Sequence, residues 1–122
     1  MAVPKAVCHP RRNIVAAGKC LECLRAWWDA RKPSERYGAT TDECMAMLAE
    51  QNYVCPVCTL PFYRDTPVID HKHWPKRPRG ILHAQCNSGL GMLMDSPEVA
   101  ERAAQYLREP TYDVVKAKGA TE

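Results

Sequence analysis

The chain has 122 residues, 46% of them hydrophobic and 25% charged, the balance of one ordinary soluble domain rather than a fibre, a disordered tail or several domains. No apolar run reaches the ~20 positions that a membrane-spanning helix needs, and Met1-Ala2-Val3-Pro4-Lys5 lacks a signal-peptide core. The expected location is therefore the cytoplasm, with no membrane contact. Seven cysteines in a reducing compartment point to metal ligation before disulfides, and zinc is the first candidate.

Net charge is only +3, but it is unevenly spread. Residues 1–37 carry eight basic and three acidic groups, 38–62 none and three, 63–87 five and two, and 88–122 four and six. Two basic zones alternate with two acidic ones, and a basic zone beside reactive residues attracts a polyanion such as nucleic acid. Residues 1–37 read as a basic N-terminal arm, 38–110 as the main domain, and 111–122 as a flexible tail.

In the arm, Leu21 to Lys32 has few helix breakers and sets Leu24, Trp27 and Trp28 on one stripe, until Pro33 ends the pattern. Thr40 and Glu43 have the spacing of a capping box. Cys44, Met47, Leu48 and Gln51 then recur at i, i+3, i+4 and i+7, a short amphipathic helix with Cys44 as a buried structural thiol on its inner face. From Cys55 to Asn87, prolines break the chain into short pieces. Two strands are expected there, Pro67 to His71 and Arg79 to Ala84, forming a hairpin across a loop rich in Lys, Trp and Pro. Trp74 in that loop either stacks on a base or covers the hairpin. Asn87 to Leu93 resembles the opening of a helix, with Gly89 and Gly91 suggesting close packing. A last helix is signalled by Ser96 as N-cap, Pro97 at its first position and Glu98 in its first turn, with Val99, Ala103, Tyr106 and Leu107 on one face; Pro110 stops it.

The strongest signal is Cys55-x-x-Cys58 followed, after 24 residues, by His83-x-x-Cys86. Two such pairs supply the four soft donors of a closed tetrahedral zinc site. The interval is long enough to hold the hairpin, and the whole reads as a small zinc-stabilised α+β domain. Cys20-x-x-Cys23 is a second knuckle. Its partners for a second zinc would be Cys8 and His9, whose adjacency is awkward on one tetrahedron. The competing arrangement, Cys20 and Cys23 sharing a metal with Cys55 and Cys58, leaves His83 and Cys86 stranded.

Inside the zinc interval lies Val68-Ile69-Asp70-His71-Lys72-His73, with Arg79-Gly80-Ile81-Leu82 opposite and Asn87 just past the last zinc ligand. Asp and Asn oxygens suit a hard cation, Mg²⁺ or Mn²⁺, that keeps open positions for phosphate and water. A neutral histidine beside such an ion can take a proton from attacking water, worth ~10²–10⁴ in rate. Together these residue types spell metal-assisted phosphodiester hydrolysis.

The run Cys-x-x-Cys, Ile-Asp-His-x-His, Arg-Gly-Ile-Leu-x-x-x-Cys-Asn-x-x-Leu-Gly and Ser-Pro-Glu-Val-Ala-Glu-Arg-Ala-Ala-Gln-Tyr-Leu closely resembles the recombination endonuclease VII family of bacteriophages, over roughly Thr41 to Glu109. That family belongs to the His-Me finger (HNH-like, ββα-metal) nucleases, so the resemblance implies a ββα-metal motif with flanking helices. It implies that Asp70 and Asn87 hold the divalent metal, that His71 is the general base, that His73 assists at the scissile phosphate, and that Cys55, Cys58 and Cys86 bind zinc. The family usually has Cys where this chain has His83, and a Cys₃His site is chemically sound. The resemblance further implies an endonuclease leaving 3′-hydroxyl and 5′-phosphate ends on double-stranded or branched DNA, four-way (Holliday) junctions included, with some members acting as homodimers. Arg11, Arg12, Lys19, Arg25 and Arg31 of the arm are expected to grip DNA backbone, with Lys72, Lys76, Arg77 and Arg79 nearer the cut. The rival readings are a non-catalytic zinc-dependent nucleic-acid-binding module and a zinc-stabilised adaptor that binds protein through Trp27 and Trp28.

Overall fold

The computed structural model describes residues 3–73 and 76–119, the side chains of residues 73 and 76 excepted. Trp74, and the side chains of His73 and Lys76, thus lie outside the described residues. The chain divides into two compact units, residues 1–87 and 88–122.

The first unit begins with backbone pairing. Lys5 bridges Asn13, and Ala16 bridges Lys19 across Ala17 and Gly18. Both of these lie at positive φ, 52° and 73°, as a tight two-residue hairpin requires. The Ala17 and Gly18 amides donate to the carbonyls of Asp65 and Tyr63, tying the N-terminal segment to the stretch before the sheet. Helix α1 runs Leu21–Arg31 and buries Leu24 and Trp28. Trp27 is half-buried, with the Arg31 guanidinium 3.8 Å above its ring. Lys32, in the left-handed conformation, turns the chain, and Pro33 opens α2 (Pro33–Tyr37). The expected capping box opens α3 (Thr41–Glu50): the Thr40 hydroxyl accepts from the Glu43 amide, and the Glu43 carboxylate accepts from the Thr40 amide. Its inner face buries Cys44 and Leu48, and α3 packs against α1 and the second strand. Burial, then the neighbouring Glu43 charge, pushes the Cys44 thiol up to about 11, so it stays a neutral core group. The largest fully buried side chains of the unit are Trp28, Phe62, Ile14, Leu24, Leu48 and Ile81.

Strands β1 (Val68–His73) and β2 (Lys76–Leu82) form a two-stranded antiparallel sheet. Both extend further than expected into the Lys/Pro-rich stretch, so Lys72 and Arg77 stand on strands rather than in a loop. Pro78 is tolerated inside β2 because a two-stranded sheet has only edge strands and an edge can lack an N–H. The register pairs Asp70 with Gly80 and His71 with Pro78, which leaves Arg79 as the extra residue of a β-bulge. Gln51, just past α3, clamps β2 from outside. Its side-chain amide donates to the carbonyls of Ile81 (2.8 Å) and Val54 (3.0 Å), and its oxygen accepts from the Ile81 amide (2.8 Å). Helix α4 (Ala84–Met92) starts three residues before the expected Asn87. The His83-x-x-Cys86 pair straddles this start, with His83 just before the helix and Cys86 in its first turn.

The second unit holds the end of α4, then α5 (Pro97–Arg108) and α6 (Thr111–Ala117). The Ser96 hydroxyl caps α5 by accepting from the Val99 amide, as expected. Along the anticipated apolar face, Val99 and Ala103 are half-buried while Tyr106 and Leu107 are exposed. Among the described residues of this unit, a Cβ at Gly89 or Gly91 would meet nothing within 4 Å. Pro110 ends α5, and the segment past it forms α6, which its composition did not announce. Among the described residues no helix is long and apolar enough to cross a membrane.

Candidate active site and metal clusters

Cys55 and Cys58 sit in a tight knuckle. The Thr59 amide donates to the Cys55 carbonyl (2.8 Å), the Cys55 amide donates to the Leu60 carbonyl (3.0 Å), and Thr59 turns at φ 64°. The donor atoms of Cys55, Cys58 and His83 all lie within 4.8 Å of one another. His83 is buried, stacked on Phe62 at 4.5 Å between ring centroids. Its Nε2 lies 3.1 Å from the Asp65 carboxylate and its Nδ1 lies 3.1 Å from the Cys58 sulfur. A carboxylate accepts only, so a neutral His83 carries its proton on Nε2 and presents the Nδ1 lone pair to the thiols.

Cys86, in the first turn of α4, hydrogen-bonds with Cys55 and Cys58, but its sulfur is not among the donors gathered within 4.8 Å of one another. Burial and then those bonds push its thiol up to about 11. Burial also pushes Cys55 up, but hydrogen bonds from the Cys58, His83 and Val57 amides and the His83 ring outweigh it and bring Cys55 down to about 6. Two sulfurs and one imidazole nitrogen are gathered here, with the Cys86 thiol their neighbour, and such a cluster can hold a structural metal such as zinc.

Cys8, His9, Cys20 and Cys23 form a second cluster, their donor atoms again all within 4.8 Å. The alternative in which Cys20 and Cys23 join Cys55 and Cys58 on one metal is not what the fold builds: each knuckle gathers its own partners. Burial raises the Cys20 thiol, but bonds from the Cys23 amide, Arg12, Cys8 and His9 pull it down to about 6. Hydrogen bonding to Cys8, then burial, raises Cys23 to about 11.

The residues expected to be catalytic are carried by β1 and the first turn of α4. Asp70 is buried, and Arg79 grips both its carboxylate oxygens, Nε to Oδ2 at 2.8 Å and Nη2 to Oδ1 at 2.9 Å. Arg79, expected near the cut as a phosphate contact, is thus placed by the bulge onto Asp70 instead. His71 is half-buried, its ring 5.3 Å from that of Tyr37. Asn87 is half-buried in the first turn of α4, where its amide donates to the His83 carbonyl (3.0 Å). A single residue, His83, separates β2 from α4, so strand, strand and helix follow each other as a ββα unit. The contacts that Asp65, Gln51 and Tyr37 make escape the sequence reading, which places Gln51 only on an inner helix face. The carboxylate two positions before Pro67 had no partner in sequence, and Gln51 and Tyr37 act on residues 30 and 34 positions away.

Of the basic residues, Arg12 pairs with Glu22, and Arg25 with Asp42, at the surface. Such exposed pairs are worth ~0–1 kcal/mol and exchange readily for phosphate. Arg11, Lys72 and Arg77 are exposed, and Lys19 is half-buried.

A family model described as recombination endonuclease VII matches residues 29–109. The Gene 59 protein of Mycobacterium phage D29 is 36% identical over 76 residues, covering 61% of this chain and 46% of that protein. The chain thus spans less than half the length of this curated relative. No solved structure matches.

Proposed function

The chain belongs to the recombination endonuclease VII family, and we propose that it is a divalent-metal-dependent DNA endonuclease whose working residues lie on β1 and at the start of α4. The observation that carries the reading is the ββα succession inside the Cys/His frame. Asp70 and His71 sit at a bulge, where a strand re-aims its side chains, and Asn87 follows the last cluster residue on the next helix.

Asp70 and Asn87 would hold Mg²⁺ or Mn²⁺ through hard oxygen ligands; bound there, the ion supplies positive charge against the leaving 3′ oxygen. His71 accepts the proton of the attacking water at a ring nitrogen, and the Tyr37 ring beside it limits how the imidazole can turn. Arg79 takes one lone pair of each Asp70 oxygen, which leaves each oxygen a second lone pair for a metal. His73 assists at the scissile phosphate. The products are 3′-hydroxyl and 5′-phosphate ends, and branched DNA such as a four-way junction is the proposed substrate class, cut by a dimer. Arg11, Arg12, Lys19, Arg25, Lys72, Lys76 and Arg77 position the backbone without reading bases.

The binding-only alternative has one observation in its favour, the Arg79–Asp70 pair, which gives Asp70 a purely structural partner. Digestion of labelled linear, nicked, mismatched and four-way DNA with Mg²⁺ or Mn²⁺ separates the two. The nuclease reading requires metal-dependent cutting that His71→Ala removes while DNA binding persists. Retardation of DNA with no cutting of any substrate supports the binding module.

A further inference from the structure

We propose that Cys8, His9, Cys20 and Cys23 bind a second structural zinc ion, outside the segment matched by the family. A tetrahedral ion with Zn–S near ~2.3 Å and Zn–N near ~2.05 Å sets its sulfurs ~3.8 Å apart and its sulfur–nitrogen edges ~3.5 Å apart. In the cluster Cys8 Sγ lies 3.8 Å from Cys20 Sγ, and His9 Nδ1 lies 3.4 Å from both Cys20 Sγ and Cys23 Sγ. Three edges of the cluster thus already have the lengths that a zinc ion would set, and all four donors lie within 4.8 Å of one another.

The backbone explains how adjacent residues can both reach. Cys8 and His9 occupy the tip of a hairpin closed by the Ala6 amide on the Arg12 carbonyl, and the Arg12 amide returns to the His9 carbonyl. The turn bends the chain between the two side chains, so both approach from one side while α1 supplies the other two. Cys20 is the N-cap of α1 and Cys23 falls in its first turn, with the Leu24 amide donating to the Cys20 carbonyl (2.9 Å). The other cluster repeats this plan: His83 precedes α4, Cys86 falls in its first turn, and the Asn87 amide donates to the His83 carbonyl (3.0 Å). Two independent segments thus share one plan, thiols and one imidazole gathered at the start of a helix.

The N-terminal segment also needs a staple. Its buried cluster is Ala6, Ile14 and Cys20, with Cys23 and Tyr63 packed against it. So few small side chains are a thin core for a stretch of some twenty ordered residues, and metal is the usual supplement where apolar burial is that small. All four positions are taken by protein, so the site is structural and offers no open position for a substrate.

Metal content of the purified full-length chain tests this. Two zinc ions per chain are expected, falling to one in Cys20→Ser/Cys23→Ser. One zinc per folded wild-type chain overturns the proposal, and so does retention of two by the double variant. Should that variant fail to fold, Cys23→His in the cobalt-loaded protein decides. It is expected to keep two cobalt ions while sulfur-to-metal charge-transfer absorbance falls by about one sixth, six cysteine ligands becoming five. An unchanged spectrum overturns the assignment. Neither readout depends on nuclease activity, so failure of the catalytic reading leaves it standing, and the reverse.

Discussion

Replacing Gln51 by Met isolates what holds β2 in place. Gln51 occupies the hydrogen-bonding position that a third strand would fill, bonding both the amide and the carbonyl of Ile81, a residue with no exposed surface. Methionine keeps the length and volume but offers neither bond. A buried backbone group left unsatisfied costs ~1–3 kcal/mol, so loss of both partners should destabilise by about 2–6 kcal/mol; the half-buried Val54 carbonyl can turn to water and adds little. That is a large share of the ~5–15 kcal/mol a domain of this size has in total. Urea unfolding of the zinc-loaded protein, followed by circular dichroism, reads the effect as a lower midpoint at unchanged slope. Gln51→Glu sharpens the test. Its carboxylate would face the Ile81 and Val54 carbonyls, which raises its pKa in the folded state above the unfolded value. The variant is therefore closest to wild type below the unfolded pKa and loses stability as pH rises through the folded one. Gln51→Met within about 0.5 kcal/mol of wild type would refute the clamp.

Gly80→Ala should cost roughly 1–2 kcal/mol, because a Cβ there lies 3.0 Å from Gln51 Oε1, and the cost should shrink in a Gln51→Ala background, a coupling read from a double-mutant cycle. Asp65→Asn removes the carboxylate that orients the His83 ring and should weaken zinc retention ~10–100-fold in competition with a chelator; unchanged retention would leave Asp65 a mere surface neighbour. Arg79→Met strips Asp70 of its bidentate partner and should cost toward the lower end of the ~3–5 kcal/mol for breaking a buried pair, with part of the loss recovered on adding Mn²⁺. No recovery with Mn²⁺ would argue against Asp70 as a metal ligand.

What could be read from sequence was what local spacing encodes. The Thr40/Glu43 capping box, the Ser96 cap, the buried Cys44 and the stops at Pro33 and Pro110 depend on neighbours within one helical turn, and each appears in the fold. The convergence of the Cys55-x-x-Cys58 pair with His83 was legible because two donors three apart on a turn already define half of a metal polyhedron. Features set by distant partners were not. Arg79 has the composition of a phosphate contact, and only the bulge, a property of strand register, turns it onto Asp70. Gln51 reads as one more inner-face residue because its partners are backbone groups, which carry no residue identity. The adjacency of Cys8 and His9 looked unfavourable because a linear sequence does not display the hairpin tip that bends the chain between them.

Initial rates of cutting on a four-way DNA junction, measured for wild type, His71→Ala and Asp70→Asn with and without Mn²⁺, bear most directly on the chemistry assigned to the ββα unit. The expected result is cutting by wild type only when the ion is added, and a loss of at least ~10²-fold in both variants, each still folded, zinc-loaded and able to bind the junction. Wild-type cutting that survives chelation of the divalent ion, or a His71→Ala protein that cuts at the wild-type rate, would contradict it.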